Sequence, residues 1–146
     1  MQITEKQRLG ISERLRRNPI ISFMGIEMIA VRPGTATLAL PYRKEIENSM
    51  GVVQGGVLAV LADVTGGMSL YSVLADPLRV VIPTIEFKLN FLRPATAGMI
   101  ISQGQVVHRG RQIALCQVEL RSEAGKLFSV GLFTYMIQDL GKGEGS

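Results

Sequence analysis

The sequence predicts an α+β domain in which a mainly antiparallel sheet curls around one long helix. Three observations predict it. Gly55 to Tyr71 is an apolar run whose one charged residue is Asp63. The run is too long for one strand and carries Ala, Leu and Met, which favour helix. Two runs with partial alternation precede it, and four β-like runs follow it between turn signals. A lone apolar helix among strands has no helical layer to lie on, so the sheet must cover it. The element order does not fit a nucleotide-binding βαβ series.

The totals bound the rest. A chain of 146 residues can bury a real core, and 47% hydrophobic with 19% charged residues is an ordinary globular balance. Residues 1–140 read as one domain with no internal repeat, residues 1–20 being a helical segment, and Gly141 to Ser146 as a flexible tail. The single cysteine, Cys116, excludes an intrachain disulfide and reads as a buried thiol; a reducing cytoplasm is the expected compartment. Met1 to Asn18 is charged throughout and does not read as a signal peptide. The apolar helix is short for a membrane span and carries Asp63, so no membrane is expected. A net charge of +4 suits a polyanionic ligand without requiring one.

In chain order, residues 4–17 read as a short helix capped by Thr4 and stopped by Asn18-Pro19, with Arg14, Arg16 and Arg17 in solvent. Gly25 to Leu40 reads as a hairpin around Arg32-Pro33-Gly34-Thr35, Pro then Gly fitting a type II turn. Pro41 to Glu47 is a polar connector. The central helix has no polar face, so it should be buried all round. Ala75-Asp76-Pro77 ends that pattern. Strands are expected at Val80 to Leu92, Met99 to His108, Gln112 to Ser122 and Lys126 to Gln138. In the first of these, Ile85, Phe87, Leu89 and Phe91 share a face. Arg109-Gly110 and Ala124-Gly125 are hairpin turns.

The central stretch, Asn48 to Tyr71, also carries the chemistry. A carboxylate in an apolar helix is costly to desolvate and calls for a partner or a task. Gln54-Gly55-Gly56 opens the same helix with backbone N–H groups under little side-chain cover, which suits a negative or polarised oxygen. An oxygen-binding helix start and a carboxylate are the two halves of an acyl-transfer site. Each feature also has a plain structural use. Paired glycines allow close packing, an asparagine closes turns, and a threonine is a good strand residue. His108, the single histidine, sits beside a turn in a solvated position. One histidine and one cysteine give no metal set.

The spacing Asn48, Gly51, Gln54-Gly55-Gly56 and Asp63, with Thr84 and Phe91-Leu92-Arg93-Pro94 after it, resembles the PaaI-like acyl-CoA thioesterases of the hotdog fold, from about Gly25 to Met136. The resemblance implies a curved antiparallel sheet wrapped around the helix. It implies that Gly55 N–H holds the thioester carbonyl and that Asp63 is nucleophile or general base. It also implies that Asn48 and Thr84 position carbonyl, water or carboxylate. Gln54 and Gly56 flank the substrate, and Arg93, Arg109 and Arg111 are the expected contacts of the CoA phosphates. The acyl-CoA is substrate, and no cofactor is implied. Gln54 stands where the family more often has histidine, and glutamine donates a hydrogen bond without titrating. Val52, Val53, Val57, Met68 and Tyr71 are the acyl-pocket candidates.

Two other readings stand beside this one. A non-catalytic acyl-CoA sensor on the same fold would need Gly55 but not Asp63. Nucleic-acid binding has the charge but lacks an aromatic-plus-basic stripe, aromatic residues being 5% of the chain, and is not expected. Geometry adds a constraint. Gly55 and Asp63 are eight positions apart, ~12 Å along a helix axis. Both must lie ~3 Å from one reacting centre. If both act, they come from different chains, which requires two antiparallel helices in a two-fold dimer. A homodimer with shared sites is expected, and the family pattern adds a dimer of dimers.

Overall fold

The computed structural model describes residues 2–142. Three helices and eight strands follow in the order α1 (Glu5–Arg16), α2 (Pro19–Met24), β1 (Glu27–Arg32), β2 (Thr35–Pro41), α3 (Gly55–Tyr71), β3 (Val80–Val81), β4 (Thr84–Phe91), β5 (Met99–Arg109), β6 (Ile113–Ser122), β7 (Leu127–Met136) and β8 (Gln138–Asp139). Six strands form one antiparallel sheet in the order β1-β2-β5-β6-β7-β4. Helix α3 packs across its inner face, touching β2, β5, β6 and β7. This is the hotdog arrangement. No helix of the described residues is long and apolar enough to cross a membrane.

The expected helix start and end hold for α3, and its neighbours explain its depth. Thr65 and Ser69 are fully buried, and each donates its hydroxyl to a carbonyl one turn back, Leu61 O at 2.7 Å and Thr65 O at 2.9 Å. A buried polar atom is thus satisfied inside the helix. Gly66 and Gly104 let helix and sheet approach. A methyl group on Gly66 would overlap the Tyr135 hydroxyl and stand 3.2 Å from Cζ; one on Gly104 would overlap Ser69. The burial is not all-round, however. Leu58, Leu61, Ala62 and everything from Thr65 to Tyr71 are buried, but Gly56, Val57, Val60, Asp63 and Val64 are exposed or half-exposed. These last positions share one stripe at helical spacing.

The N-terminal segment departs from expectation. Thr4 and Gln7 form a capping box on α1. Pro19 does not merely stop that helix; it occupies the first turn of a second one, where its missing N–H is harmless. Gly25, at φ 73°, closes α2 in the left-handed conformation. Arg14 is not solvated. Its guanidinium donates to Pro77 O at 2.9 Å and Val80 O at 2.5 Å and lies 5.4 Å from the Tyr71 ring centroid. It therefore clamps α1 over the end of α3. Arg16 and Arg17 pair with Glu13 instead, at 2.6 and 2.7 Å.

The β1–β2 hairpin turns at Pro33-Gly34, with Gly34 at φ 84°, as the type II reading requires. The polar connector holds a 3₁₀ turn, Lys44–Ile46. The expected strand from Val80 to Leu92 is broken by Pro83 into β3 and β4, and the last run likewise splits into β7 and β8. The shared face of β4 is also interrupted. A bulge between Thr84 and Glu86 displaces Ile85, while Phe87, Leu89 and Phe91 sit opposite Phe133, Gly131 and Ser129. Phe87 stacks on Phe133 at 5.0 Å. Gly141 falls in a 3₁₀ turn, Leu140–Lys142; the rest of the expected flexible tail, 143–146, lies outside the described residues.

Cys116 is fully buried on β6, and burial pushes its thiol up to about 12. A disulfide reagent at mildly alkaline pH should therefore leave the native protein unmodified and titrate one thiol after denaturation. Replacing Gly66 with alanine should force Tyr135 and α3 apart. Overpacking of this kind costs about 1–3 kcal/mol, readable as a lower urea midpoint at unchanged m-value.

Candidate active site

Asp63 lies on the half-exposed stripe of α3, not in a buried position as its apolar surroundings suggest. Thr84, the first residue of β4, donates its hydroxyl to Asp63 Oδ1 at 2.7 Å. The other carboxylate oxygen has no protein donor among the described residues. The backbone at Asp63 is held separately. The Tyr135 hydroxyl, on β7, donates to the Asp63 carbonyl at 2.7 Å. Burial first, and then the nearby Asp63 charge, push the Tyr135 phenol well above its ordinary value, so it stays a protonated donor. Gly66, one turn on, is what gives that ring its space.

The other half sits at the start of α3. Two backbone bonds pin the incoming loop, Val53 N–H to Ala95 O and Gln54 N–H to Ile46 O, both 2.9 Å. The Gln54 carbonyl accepts from Val57 and Leu58, beginning the helix ladder, and no side chain caps the end. The N–H groups of Gly55 and Gly56 accordingly have no acceptor among the described residues. Two bare donors at the positive end of a helix can hold a polarised oxygen. Phe91, at the far end of β4, explains the first glycine. A methyl group on Gly55 would stand 3.3 Å from Phe91 Cζ.

Asn48 has a defined structural task. Its Oδ1 accepts from Met50 N–H at 2.9 Å and Val52 N–H at 3.4 Å, and its own N–H bonds Val52 O at 2.7 Å. This turn shapes the loop that delivers Gly55. The carboxamide NH₂ has no partner among the described residues. Asn48, Gly55, Phe91 and Arg93 line one cavity of about 290 Å³. Gln54 and Gly56 line a second, of about 340 Å³, on the other flank of the helix start. Arg109 and Arg111 stand apart, in a cavity of about 840 Å³ with Arg79 and Asp139.

The structure thus assembles two groups and keeps them separate. Asp63 and Thr84 meet at one end of β4, and Gly55, Asn48 and Arg93 gather at the other. Val52, Val53 and Val57 do line cavities. Met68 and Tyr71 are instead core residues, 5% and 6% exposed. His108 is exposed, as expected. Tyr135 escaped sequence reading. Its signal was a phenol in a largely apolar strand, two positions from Phe133 on the same face.

The thioesterase superfamily profile matches residues 50–129, from the Gly55 loop to the start of β7. The chain belongs to the thioesterase superfamily. Among related thioesterase-fold proteins, the 1,4-dihydroxy-2-naphthoyl-CoA hydrolase of Listeria monocytogenes is 24% identical over 115 residues, 79% of this chain and 92% of that one. A Saccharolobus solfataricus protein provisionally named an esterase is 29% identical over 122 residues, 84% of this chain and 85% of its own. Among solved structures, a thioesterase family protein from Silicibacter pomeroyi superposes with TM-score 0.85 at 21% identity, covering 91% of this chain and 98% of that one. The E. coli PaaI protein of the phenylacetic acid degradation operon gives 0.83 at 20% identity, covering 92% and 95%. The structural matches support the hotdog fold that the sequence resemblance implied.

Replacing Tyr135 with phenylalanine removes one buried donor and leaves the Asp63 carbonyl its helical partner. The expected loss is about 1 kcal/mol of stability, measured by urea unfolding.

Proposed function

We propose that this thioesterase-superfamily chain hydrolyses acyl-CoA thioesters, and that it does so as a homodimer with shared sites. Water, deprotonated by Asp63, attacks the thioester carbonyl carbon, or the Asp63 carboxylate attacks first and water then cleaves the acyl-enzyme. Gly55 N–H holds the carbonyl oxygen as it becomes negative. The C–S bond breaks, CoA leaves as the thiol, and the free acid remains. Thr84 orients the carboxylate through its bond to Oδ1. The Asn48 NH₂ is free to hold water or the carbonyl. Arg93 at the helix start, and Arg109 and Arg111 in their separate cavity, are assigned to the CoA phosphates.

The observation that carries this reading is the placement of the two groups along β4. Asp63 bonds Thr84 at one end, and Gly55 packs on Phe91 at the other. Strand β4 has a free outer edge, and Ile85, Phe87 and Phe91 are about half exposed on it. A long apolar edge of this kind calls for a partner. Antiparallel pairing of two β4 strands about a two-fold axis near Phe87 and Lys88 sets Thr84 of one chain beside the partner's Phe91. Asp63 then faces the partner's Gly55, twice per dimer. The half-exposed stripe of α3 is left for the partner helix. Pairing of such dimers into a tetramer and a cytoplasmic setting belong to the same reading.

Asp63→Ala should lower kcat on every acyl-CoA that the native protein cleaves by about 100-fold or more. Gly55→Pro removes the N–H at a helix position whose backbone tolerates proline, though its ring must displace Phe91, and should cost at least a comparable factor. Mixing the two variants with subunit exchange should restore activity, because each heterodimer contains one intact site. Tight acyl-CoA binding with no thiol released by the native protein would instead favour a sensor.

A further inference from the structure

Asp63 lies where α3 is intrinsically weakest. Gly66 and Gly67 occupy the turn after it, and a glycine in a helix interior costs about 1 kcal/mol relative to alanine. The Asp63 carbonyl must find its ladder partner in that turn, at the Gly67 N–H. Tyr135 supplies a second donor to the same carbonyl, at 2.7 Å. It reaches α3 from β7, is 2% exposed, and stays a protonated donor because burial holds its phenol well above the ordinary value. The side chain of Asp63 is held from β4, by the Thr84 hydroxyl on Oδ1, also at 2.7 Å.

Thr84 and Tyr135 are themselves partners. They sit directly opposite each other where β4 pairs with β7. A β-bulge makes this possible. Phe87, Leu89 and Phe91 share a face with their partners Phe133, Gly131 and Ser129, and in a regular strand Thr84 would lie on the other face. Between Thr84 and Glu86, however, β4 advances two residues while β7 advances one, from Tyr135 to Thr134. The extra residue, Ile85, turns Thr84 back toward α3. Pro83 O accepts from Met136 N–H at 2.9 Å and fixes the chain just before it. One cross-strand pair therefore holds Asp63 twice, by its main chain and by its carboxylate.

Neither hold is sufficient alone. Thr84 can choose the direction of the carboxylate but not the height of the Asp63 backbone over the sheet. Tyr135 sets that height but not the direction. We propose that Thr84 and Tyr135 work as one clamp on Asp63, which makes Tyr135 a positioning residue for the hydrolysis although it touches no reacting atom. This rests on the thioesterase reading above and adds to it the residue that sets where the carboxylate stands. A displacement of about 1 Å in a reacting group can cost on the order of 100-fold in rate. A carboxylate freed at either end of the clamp should therefore lose turnover and leave substrate affinity unchanged.

The test measures kcat and KM of the full chain on whichever of acetyl-, benzoyl- and palmitoyl-CoA the native protein cleaves best. Tyr135→Phe should lower kcat about 10-fold or more, with KM within about twofold of native. Thr84→Val, similar in shape but without the hydroxyl, should do the same, and Thr84→Ser should recover most of the loss. The double variant should fall no more than about threefold below the poorer single one, because a clamp released at one jaw is already open. Native kcat in Tyr135→Phe, folded by circular dichroism, overturns the positioning role, since a merely structural bond changes the folded fraction and not the folded enzyme. Losses that multiply in the double variant overturn the clamp and leave two independent holds. A readout without turnover is the carboxyl ¹³C resonance of Asp63, which should move in Tyr135→Phe in the same direction as in Thr84→Val. A resonance that stays in place overturns the clamp. No cleavage of any of the three thioesters by the native protein overturns the thioesterase reading, and the resonance then decides the clamp by itself.

Discussion

The close seating of α3 on the sheet is the constraint on which the rest of this structure depends. A helix with so little polarity must be covered, but a helix buried on every side could carry no accessible carboxylate. The chain resolves this by placing small residues where helix meets sheet. Gly66 and Gly104 remove the bulk that would hold the layers apart, and the hydroxyls of Thr65 and Ser69 turn back onto their own helix. Tyr135 can then cross the sheet face to the Asp63 carbonyl. The second half of the helix sinks into the core. The first half keeps one stripe open, and Asp63 lies on that stripe.

Two short contacts then transmit the seating to the chemistry. Thr84 fixes one oxygen of Asp63, and Phe91 lies against Gly55, so both groups take their positions from the ends of a single strand. Strand β4 acts as a ruler for the site. It is also the strand left at the sheet edge with apolar side chains half exposed. The same strand that spaces the two chemical groups therefore offers the surface through which a second copy could bring them together.

Much of this was legible in the sequence because it depends on local signals. The bounds of α3, the Pro33-Gly34 turn and most of the long strands follow from periodicity and turn residues. The spacing from Asn48 to Arg93 likewise pointed to the fold. What was not legible depends on tertiary partners. Pro19 reads equally as the end of one helix or the first residue of the next, and only the packing of Ile21 and Met24 decides. Arg14 looks like any surface cation until the Pro77 and Val80 carbonyls arrive beside it. Asp63 was read as buried because its sequence neighbours are apolar, but burial is a property of the face and not of the run. Asn48 shows the limit from the other side: one residue shapes the Gly55 loop with its oxygen and leaves its NH₂ unpartnered.

The two flanks of the α3 start give the site a direction that neither chemical group could give alone. An oxygen held on bare N–H groups fixes one substituent of a planar carbon, and the other two must point away to either side. One side offers Arg93 and the Asn48 amide; the other offers valines, an exposed phenylalanine and the side chains of Arg43 and Glu45. On the proposed thioesterase reading, a polyanionic leaving group belongs on the Arg93 side. In the proposed dimer the Asp63 carboxylate, on α3 of the second chain and held by Thr84 of its β4, would approach across that plane, where an attacking oxygen must come from. The loop that presents Gly55 and the strand that spaces it from Asp63 would then address one carbon from two sides.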